Sequence, residues 1–175
     1  LVPIFNKLTP LDSGDLCEAI NRYAEKVQFP LKNIFVIDGS KRSAKSNAYF
    51  SGIGAKKTIV LYDTLVKNHS HEELVAILAH EVGHYKKKHI RNSLILSTLQ
   101  MGALLFIFGK FVDSPLLAEM MGAQQPGFHI GLLAFSLLLN PLSLVIGILM
   151  NMYSRKNEFE ADAFAKETFN GIHLQ

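Results

Sequence analysis

The sequence has no tryptophan and a single cysteine, Cys17, among its 175 residues. One thiol allows neither an intramolecular disulfide nor a metal site built from cysteines, and it is compatible with a reducing compartment. The sequence also lacks an initiator methionine and a signal-peptide pattern, since it begins at Leu1. We interpret it as part of a longer protein.

Neither positive nor negative charge dominates the sequence. It contains 18 Lys and Arg residues and 15 Asp and Glu residues, which give a formal net charge of +3. There is no RNA-binding signature and no basic stripe with interleaved aromatic residues. We therefore expect no nucleic-acid partner. The three lysines at 86–88 are either a solvated helix face or a cluster that orients the chain at a membrane, and the sequence leaves both interpretations open.

Charged residues are almost absent from two long apolar stretches. Residues 94–112 contain one charge, Lys110, and residues 130–150 contain none. Each approaches the roughly 20 residues that a helix needs to cross a bilayer, although two buried helices of a soluble core are the alternative. Because residues 113–129 contain no Lys or Arg while both outer flanks do, the positive-inside rule predicts a transmembrane hairpin with both ends in the cytoplasm.

Hydrophobic periodicity before these stretches predicts one amphipathic helix and a small sheet. The helix is expected over residues 11–29, followed by strands at 33–39, 46–53 and 58–62. With the long apolar stretches, these elements predict a fold that is mainly α with a small β-sheet.

A second helix carries the pattern His-Glu-Val-Gly-His. Ser70 and Glu73 form a capping-box sequence that predicts where this helix begins. His80 and His84 are four residues apart, so on a helix they lie on one face and can bind one zinc ion. Glu81 is adjacent to His80, where a carboxylate can act on the water that zinc activates.

A catalytic zinc site needs a third protein ligand and an open position for water. Acidic residues follow the second apolar stretch, where Glu158 and Asp162 are four residues apart and share a helix face, whereas Glu160 points elsewhere. A hairpin would return this segment to the side of the membrane that holds His80. A solvated acidic helix is the alternative.

Four segments of the chain, 40–50, 59–65, 74–84 and 154–165, together resemble the Ste24 family, the CAAX prenyl protease 1 type of membrane zinc metallopeptidase (peptidase family M48). The resemblance covers nearly the whole chain with several motifs in register. It implies a gluzincin-like zinc peptidase core combined with the transmembrane hairpin, and an integral-membrane metalloendopeptidase activity.

The resemblance also implies roles for individual residues. One zinc ion per chain is expected, bound by His80, His84 and Glu158, with Glu81 as the general base. Asp162 matches the acidic residue that ends the family's Glu-x-x-Ala-Asp motif, and it is expected to orient a zinc-binding histidine.

The expected partners are membrane lipid and a peptide or protein substrate, including prenylated C-termini. The resemblance implies that residues 46–50, within the predicted strand 46–53, lie near the active site. There the strand edge can pair with an extended substrate and Asn47 can polarise the scissile carbonyl. CAAX processing and membrane-protein quality control are both compatible with the sequence. A non-enzymatic membrane scaffold with a structural metal site is the alternative function.

The chain is expected to comprise a peptidase core at 1–93, the hairpin at 94–150 and a helix at 151–175 that completes the zinc site. The protein is expected in the inner membrane if it is bacterial and in the membrane of the endoplasmic reticulum if it is eukaryotic. In both cases the active site is expected to face the cytoplasm.

Overall fold

The structure, a computed structural model, describes residues 8–38, 48–51 and 57–169. In chain order the elements are β1 (Leu8–Pro10), α1 (Asp15–Lys26), β2 (Leu31–Ile37), β3 (Ala48–Ser51), β4 (Lys57–Tyr62), α2 (Asp63–Asn68), α3 (His71–Lys86), α4 (His89–Phe111), α5 (Pro115–Met120) and α6 (Phe128–Phe169). They form two compact units. The first contains the residues up to Lys87 and those from Glu158 onward, and the second contains Lys88–Asn157.

The sheet in the first unit has the strand order β1-β2-β4-β3. β2 and β4 are parallel, with Ile34 opposite Ile59, and each carries an antiparallel neighbour on its outer side. β2 and β4 are the two inner strands, and β4 contains three consecutive buried residues, Ile59, Val60 and Leu61. The three predicted strands correspond to β2, β3 and β4, although the ends of the 46–53 prediction lie outside the described residues.

The prediction of three strands was incomplete, because β1 is a fourth strand in the described sheet. It is only three residues long and ends in Pro10. A proline lacks the N–H that a sheet ladder requires, so a pattern of this kind is a weak strand signal and is tolerated mainly at a sheet edge. β1 occupies such an edge, paired antiparallel with β2.

Helix α1 buries one face, formed by Leu16, Ile20, Tyr23 and Ala24. The predicted bounds of 11–29 were too wide, because the helix covers Asp15–Lys26. It ends where Gln28 takes a positive φ of 51°, and the N–H of Phe29 donates to the carbonyl of Ala24 at 2.8 Å. This tight turn leads the chain directly into β2.

Helix α3 begins at the predicted capping box. The Ser70 hydroxyl accepts from the Glu73 N–H at 3.3 Å, and the Glu73 carboxylate accepts from the Ser70 N–H at 2.8 Å. The backbone hydrogen bond from Ser70 lowers the pKa of the Glu73 carboxyl below its ordinary value. Along the helix, Leu74, Leu78 and Val82 recur every four residues and are buried in the core of the first unit.

The C-terminal part of α6 belongs to the same core. Ala161 and Ala165 are fully buried, and the side chains of Tyr23 and Thr168 are hydrogen-bonded at 2.7 Å. Burial raises the pKa of the Tyr23 hydroxyl, an effect that the hydrogen bond with Thr168 partly offsets. The side-chain ammonium of Lys26 donates to the Thr168 carbonyl at 2.7 Å. Helix α1 is thus connected to the segment that contains the predicted acidic motif.

The second unit contains α4, α5 and the part of α6 that ends at Asn157. The ring of Phe108 packs against Phe128 and Phe135, with centroid distances of 6.0 and 5.0 Å. α6 continues as a helix through Pro141. In the part of the chain that the structure describes, α4 and α6 are the two helices long and apolar enough to cross a membrane. α4 covers the predicted stretch 94–112 except for its last residue, and α6 contains the stretch 130–150.

Candidate metal centre

Two helices of the first unit form a cluster of metal-binding side chains. α3 provides His80 and His84, and the C-terminal part of α6 provides Glu158. One donor atom from each of these residues lies within 4.8 Å of the other two. No other group of three or more His, Cys, Asp or Glu side chains in the described ranges is arranged in this way.

The donor atoms of the cluster face one another closely. The Nε2 atoms of His80 and His84 are 3.0 Å apart. Oε2 of Glu158 lies 3.3 Å from Nε2 of His80 and 3.6 Å from Nε2 of His84. The three atoms therefore form a small triangle whose sides are nearly equal.

This triangle fits the donor set of a zinc ion. Tetrahedral zinc with bonds of about 2.0–2.1 Å to nitrogen and oxygen separates its ligand atoms by about 3.3 Å. The three measured separations of 3.0, 3.3 and 3.6 Å bracket that value. Two neutral imidazoles and a carboxylate are also ligands that zinc prefers, and three protein ligands leave the fourth position for water or substrate.

Asp162 holds the ring of His80 from its other side. Its Oδ1 lies 2.7 Å from Nδ1 of His80. A carboxylate at this distance accepts a hydrogen bond from Nδ1–H, which leaves the lone pair of Nε2 directed at the cluster. His80 and Asp162 are 82 residues apart in sequence. The fold nevertheless brings the Asp162 carboxylate to the ring nitrogen of His80 that faces away from the cluster, where it can orient the ring.

Glu160 lies outside the metal-binding group even though it is between the two acidic residues that belong to the site. Its side chain is half-buried, whereas the side chain of Glu158 is exposed. Two residues of separation rotate a side chain by about 200° around a helix axis. Glu158 therefore belongs to the cluster and Glu160 does not, and the role of Glu158 as a metal ligand stays a prediction.

Glu81 lies on α3 directly after His80 and is half-buried. Burial raises the pKa of its carboxyl group above the ordinary value, His80 lowers this pKa, and the neighbouring Glu158 raises it. A carboxylate with increased proton affinity beside a metal site suits a general base. Asn47, the candidate for polarising the substrate carbonyl, lies outside the described residues.

The sequence analysis did not identify the contact that brings the two helices together. Gly83 and Ala161 are both buried where α3 and the C-terminal part of α6 approach each other. A Cβ atom on Gly83 would lie 3.0 Å from the Cα and 3.1 Å from the carbonyl oxygen of Ala161. The glycine within the His-Glu-Val-Gly-His pattern was the available signal, although its partner helix could not be identified from the sequence.

Two histidines one turn apart on one helix, a glutamate from a second helix and a further glutamate beside the first histidine form an arrangement typical of zinc metallopeptidases. The comparison with protein families supports this class. The family model described as Peptidase family M48 matches residues 10–173, which is most of the chain. The chain belongs to this family of zinc peptidases and contains a His-His-Glu candidate metal site.

Individual relatives agree with the family match. The chain is 41% identical over 189 residues to CAAX prenyl protease 1 of Saccharomyces cerevisiae, an alignment that covers 95% of this chain and 40% of that protein. It is 32% identical over 206 residues to the CAAX prenyl protease 1 homolog of Homo sapiens, covering 95% of this chain and 43% of that protein.

A solved structure has the same fold. The crystal structure of S. mikatae Ste24p superimposes with a TM-score of 0.79 at 40% sequence identity, over 95% of this chain and 42% of that chain. The chain therefore spans about two fifths of the length of the relatives that it matches. The resemblance noted in the sequence is confirmed at the level of the family and the fold.

Proposed function

We propose that the protein is a zinc-dependent metalloendopeptidase of the membrane that uses His80, His84 and Glu158 as metal ligands. The observation that carries the proposal is the triangle of donor atoms, none more than 3.6 Å from another, in a chain of peptidase family M48. Bound zinc would act as a Lewis acid that makes water nucleophilic near neutral pH and polarises the peptide carbonyl.

The residues around the ligands supply the remaining chemistry. The carboxylate of Glu81 accepts a proton from the attacking water and afterwards delivers a proton to the nitrogen of the leaving amine. Its half-buried position increases its proton affinity, which supports both roles. The carboxylate of Asp162 accepts a hydrogen bond from Nδ1–H of His80 and so fixes the orientation and the tautomer of that ring.

An extended peptide would bind along the sheet. β3 is the last strand in the described sheet order, and an edge strand can add a substrate segment through backbone hydrogen bonds. We also propose that Asn47, which lies outside the described residues, polarises the scissile carbonyl. We propose a substrate with a prenylated C-terminus, because the relatives at 41% and 32% identity are described as CAAX prenyl protease 1 and its homolog. Membrane-protein quality control is the other role compatible with the site.

A scaffold with a structural metal ion is the competing function. Structural zinc is usually enclosed by four protein ligands, whereas the described residues bring three together. Hydrolysis requires a general base beside the metal, and Glu81 lies in that position. A scaffold with a structural metal ion has no need of such a base. These two features favour the enzyme.

The direct test of the proposed activity is removal and return of the metal. Treatment of the full-length protein in detergent with a zinc chelator should reduce cleavage of a prenylated CAAX peptide to background. One equivalent of zinc should then restore cleavage, and one equivalent of magnesium should not, because magnesium prefers oxygen ligands in an octahedral arrangement. Cleavage that persists without zinc would refute the proposed function, whereas zinc binding without cleavage of any peptide would favour the scaffold.

We further propose that α4 and the apolar part of α6 span the membrane as the hairpin 94–150, with residues 1–93 and 151–175 on the cytoplasmic side. Both helices expose most of their apolar side chains. In the most apolar 18-residue segment of each helix, 0% of the residues are buried in α4 and 6% are buried in α6. A soluble protein would bury core helices of this kind. The lysines at 86–88 would then lie at the cytoplasmic end of the first span.

Cysteine labelling should reveal this topology. In a Cys17→Ser background, a cysteine at position 154 should react with a membrane-impermeant reagent applied to the cytoplasmic side of sealed vesicles. A cysteine at position 114 should react only after the membrane has been permeabilised, because Ser114 lies in the connection between the two spans. Equal labelling of both positions from the cytoplasmic side would contradict the hairpin.

A further inference from the structure

The backbones of the two helices that form the candidate metal centre lie close together at Gly83, which stands between His80 and His84 in the sequence. A Cβ atom at this position would meet three atoms of Ala161 within 3.4 Å: Cα at 3.0 Å, the carbonyl oxygen at 3.1 Å and Cβ at 3.4 Å. Two of these are backbone atoms, which cannot move aside as the end of a flexible side chain can. The absence of a side chain at Gly83 therefore sets how closely the helices approach.

This contact lies at the level of the metal ligands. Ala161 is adjacent to Asp162 and one helical turn from Glu158, and these two residues face His80 across the helix pair. The distances of 3.3 Å from Glu158 to His80 and 2.7 Å from Asp162 to His80 both bridge the helices. We expect an increase in the helix spacing at Gly83 to lengthen both of them.

We infer that Gly83 is a positioning residue of the zinc site, whose lack of a side chain holds Glu158 and Asp162 at the distances that metal binding requires. The inference rests on the proposed zinc site. Contacts of 3.0 to 3.1 Å are tighter than nearly all contacts of real Cβ atoms, so a methyl group at position 83 must displace one backbone by a few tenths of an ångström. Zinc–ligand distances tolerate only about 0.2 Å.

A structural role alone makes a different prediction. Alanine is a better helix former than glycine, so Gly83→Ala gains helix propensity while it strains the contact between the helices. If Gly83 mattered only for packing, the substitution would change the melting temperature and leave the metal site as it was. If Gly83 positions the metal ligands, the substitution should weaken zinc binding in protein that is still folded.

The test compares three variants of the full-length protein in detergent. Gly83→Ala adds the methyl group on α3, and Ala161→Ser enlarges the facing residue on α6. Gly147→Ala is the matched control, since it makes the same change within α6 where nothing lies within 4 Å of the added Cβ. The measurements are the dissociation constant for zinc, by competition with a chromophoric chelator, the visible absorption of the cobalt(II)-substituted protein, and the melting temperature without metal.

We expect Gly83→Ala to weaken zinc binding by about 10- to 100-fold, the range typical for residues that orient metal ligands, and to alter the cobalt(II) spectrum. Ala161→Ser should change both quantities in the same direction, and Gly147→Ala should match the unchanged protein. Unchanged zinc affinity and cobalt spectrum in Gly83→Ala would overturn the inference. If that variant does not fold, the same result in Ala161→Ser would overturn it. If the wild-type protein binds no zinc, the proposed metal site itself is refuted.

Discussion

Replacing Glu81 with glutamine is expected to abolish peptide hydrolysis while zinc remains bound. The amide of glutamine has nearly the shape of the carboxylate, but it cannot accept a proton from water. Glu81 is adjacent to His80 and is not part of the cluster of donor atoms, so its loss should leave the metal ligands in place. Removal of a general base typically costs about 10²- to 10⁴-fold in rate, and we expect the upper part of this range.

The measurement is the rate of peptide cleavage by Glu81→Gln together with its zinc content. Glu72→Gln is the matched control, because Glu72 is an exposed glutamate in the first turn of the same helix, distant from the metal ligands along α3. It should retain both activity and zinc. Substantial cleavage by Glu81→Gln at full zinc occupancy would show that another group accepts the proton.

The second large effect is expected at Glu158. Glu158→Ala should lose most of its bound zinc and all activity, because it removes the donor atom that lies within 3.6 Å of both histidine nitrogens. Glu160→Ala provides the control, since Glu160 is on the same helix but outside the metal-binding group. It should retain zinc and activity. A zinc-free Glu160→Ala protein beside a zinc-replete Glu158→Ala protein would refute the assignment.

Asp162→Ala should lie between these two extremes. The histidine ligands and Glu158 remain, but the ring of His80 loses the carboxylate that is 2.7 Å from its Nδ1. Loss of such a supporting partner typically costs about 10- to 100-fold in metal affinity or activity. Zinc stoichiometry of the three purified variants therefore yields a graded series in which Glu158 has the largest effect.

Local sequence signals were sufficient for much of the site. The capping box at Ser70 and Glu73 fixes where α3 begins, and the helical period then places His80 and His84 on one face. The same period separates Glu160 from Glu158. Each of these inferences depends only on residues within a few turns of one helix, so the sequence alone carries it.

Features that depend on distant residues could not be predicted in this way. The spacing of α3 and α6 is determined by Gly83 meeting the backbone of Ala161, and no local pattern specifies this pairing. The tight turn at Gln28 shortened α1 relative to its prediction, since hydrophobic periodicity does not mark where a turn begins. β1 was missed because its three residues become a strand only through their pairing with β2.

X-ray absorption at the zinc edge is the measurement that tests the central claim most directly, namely that two histidines and a glutamate hold one zinc ion. For the purified full-length protein we predict scattering from nitrogen and oxygen neighbours at about 2.0–2.1 Å, with the outer-shell signature of two imidazole rings. A sulfur neighbour at about 2.3 Å, or the signature of fewer than two imidazoles, would contradict the account.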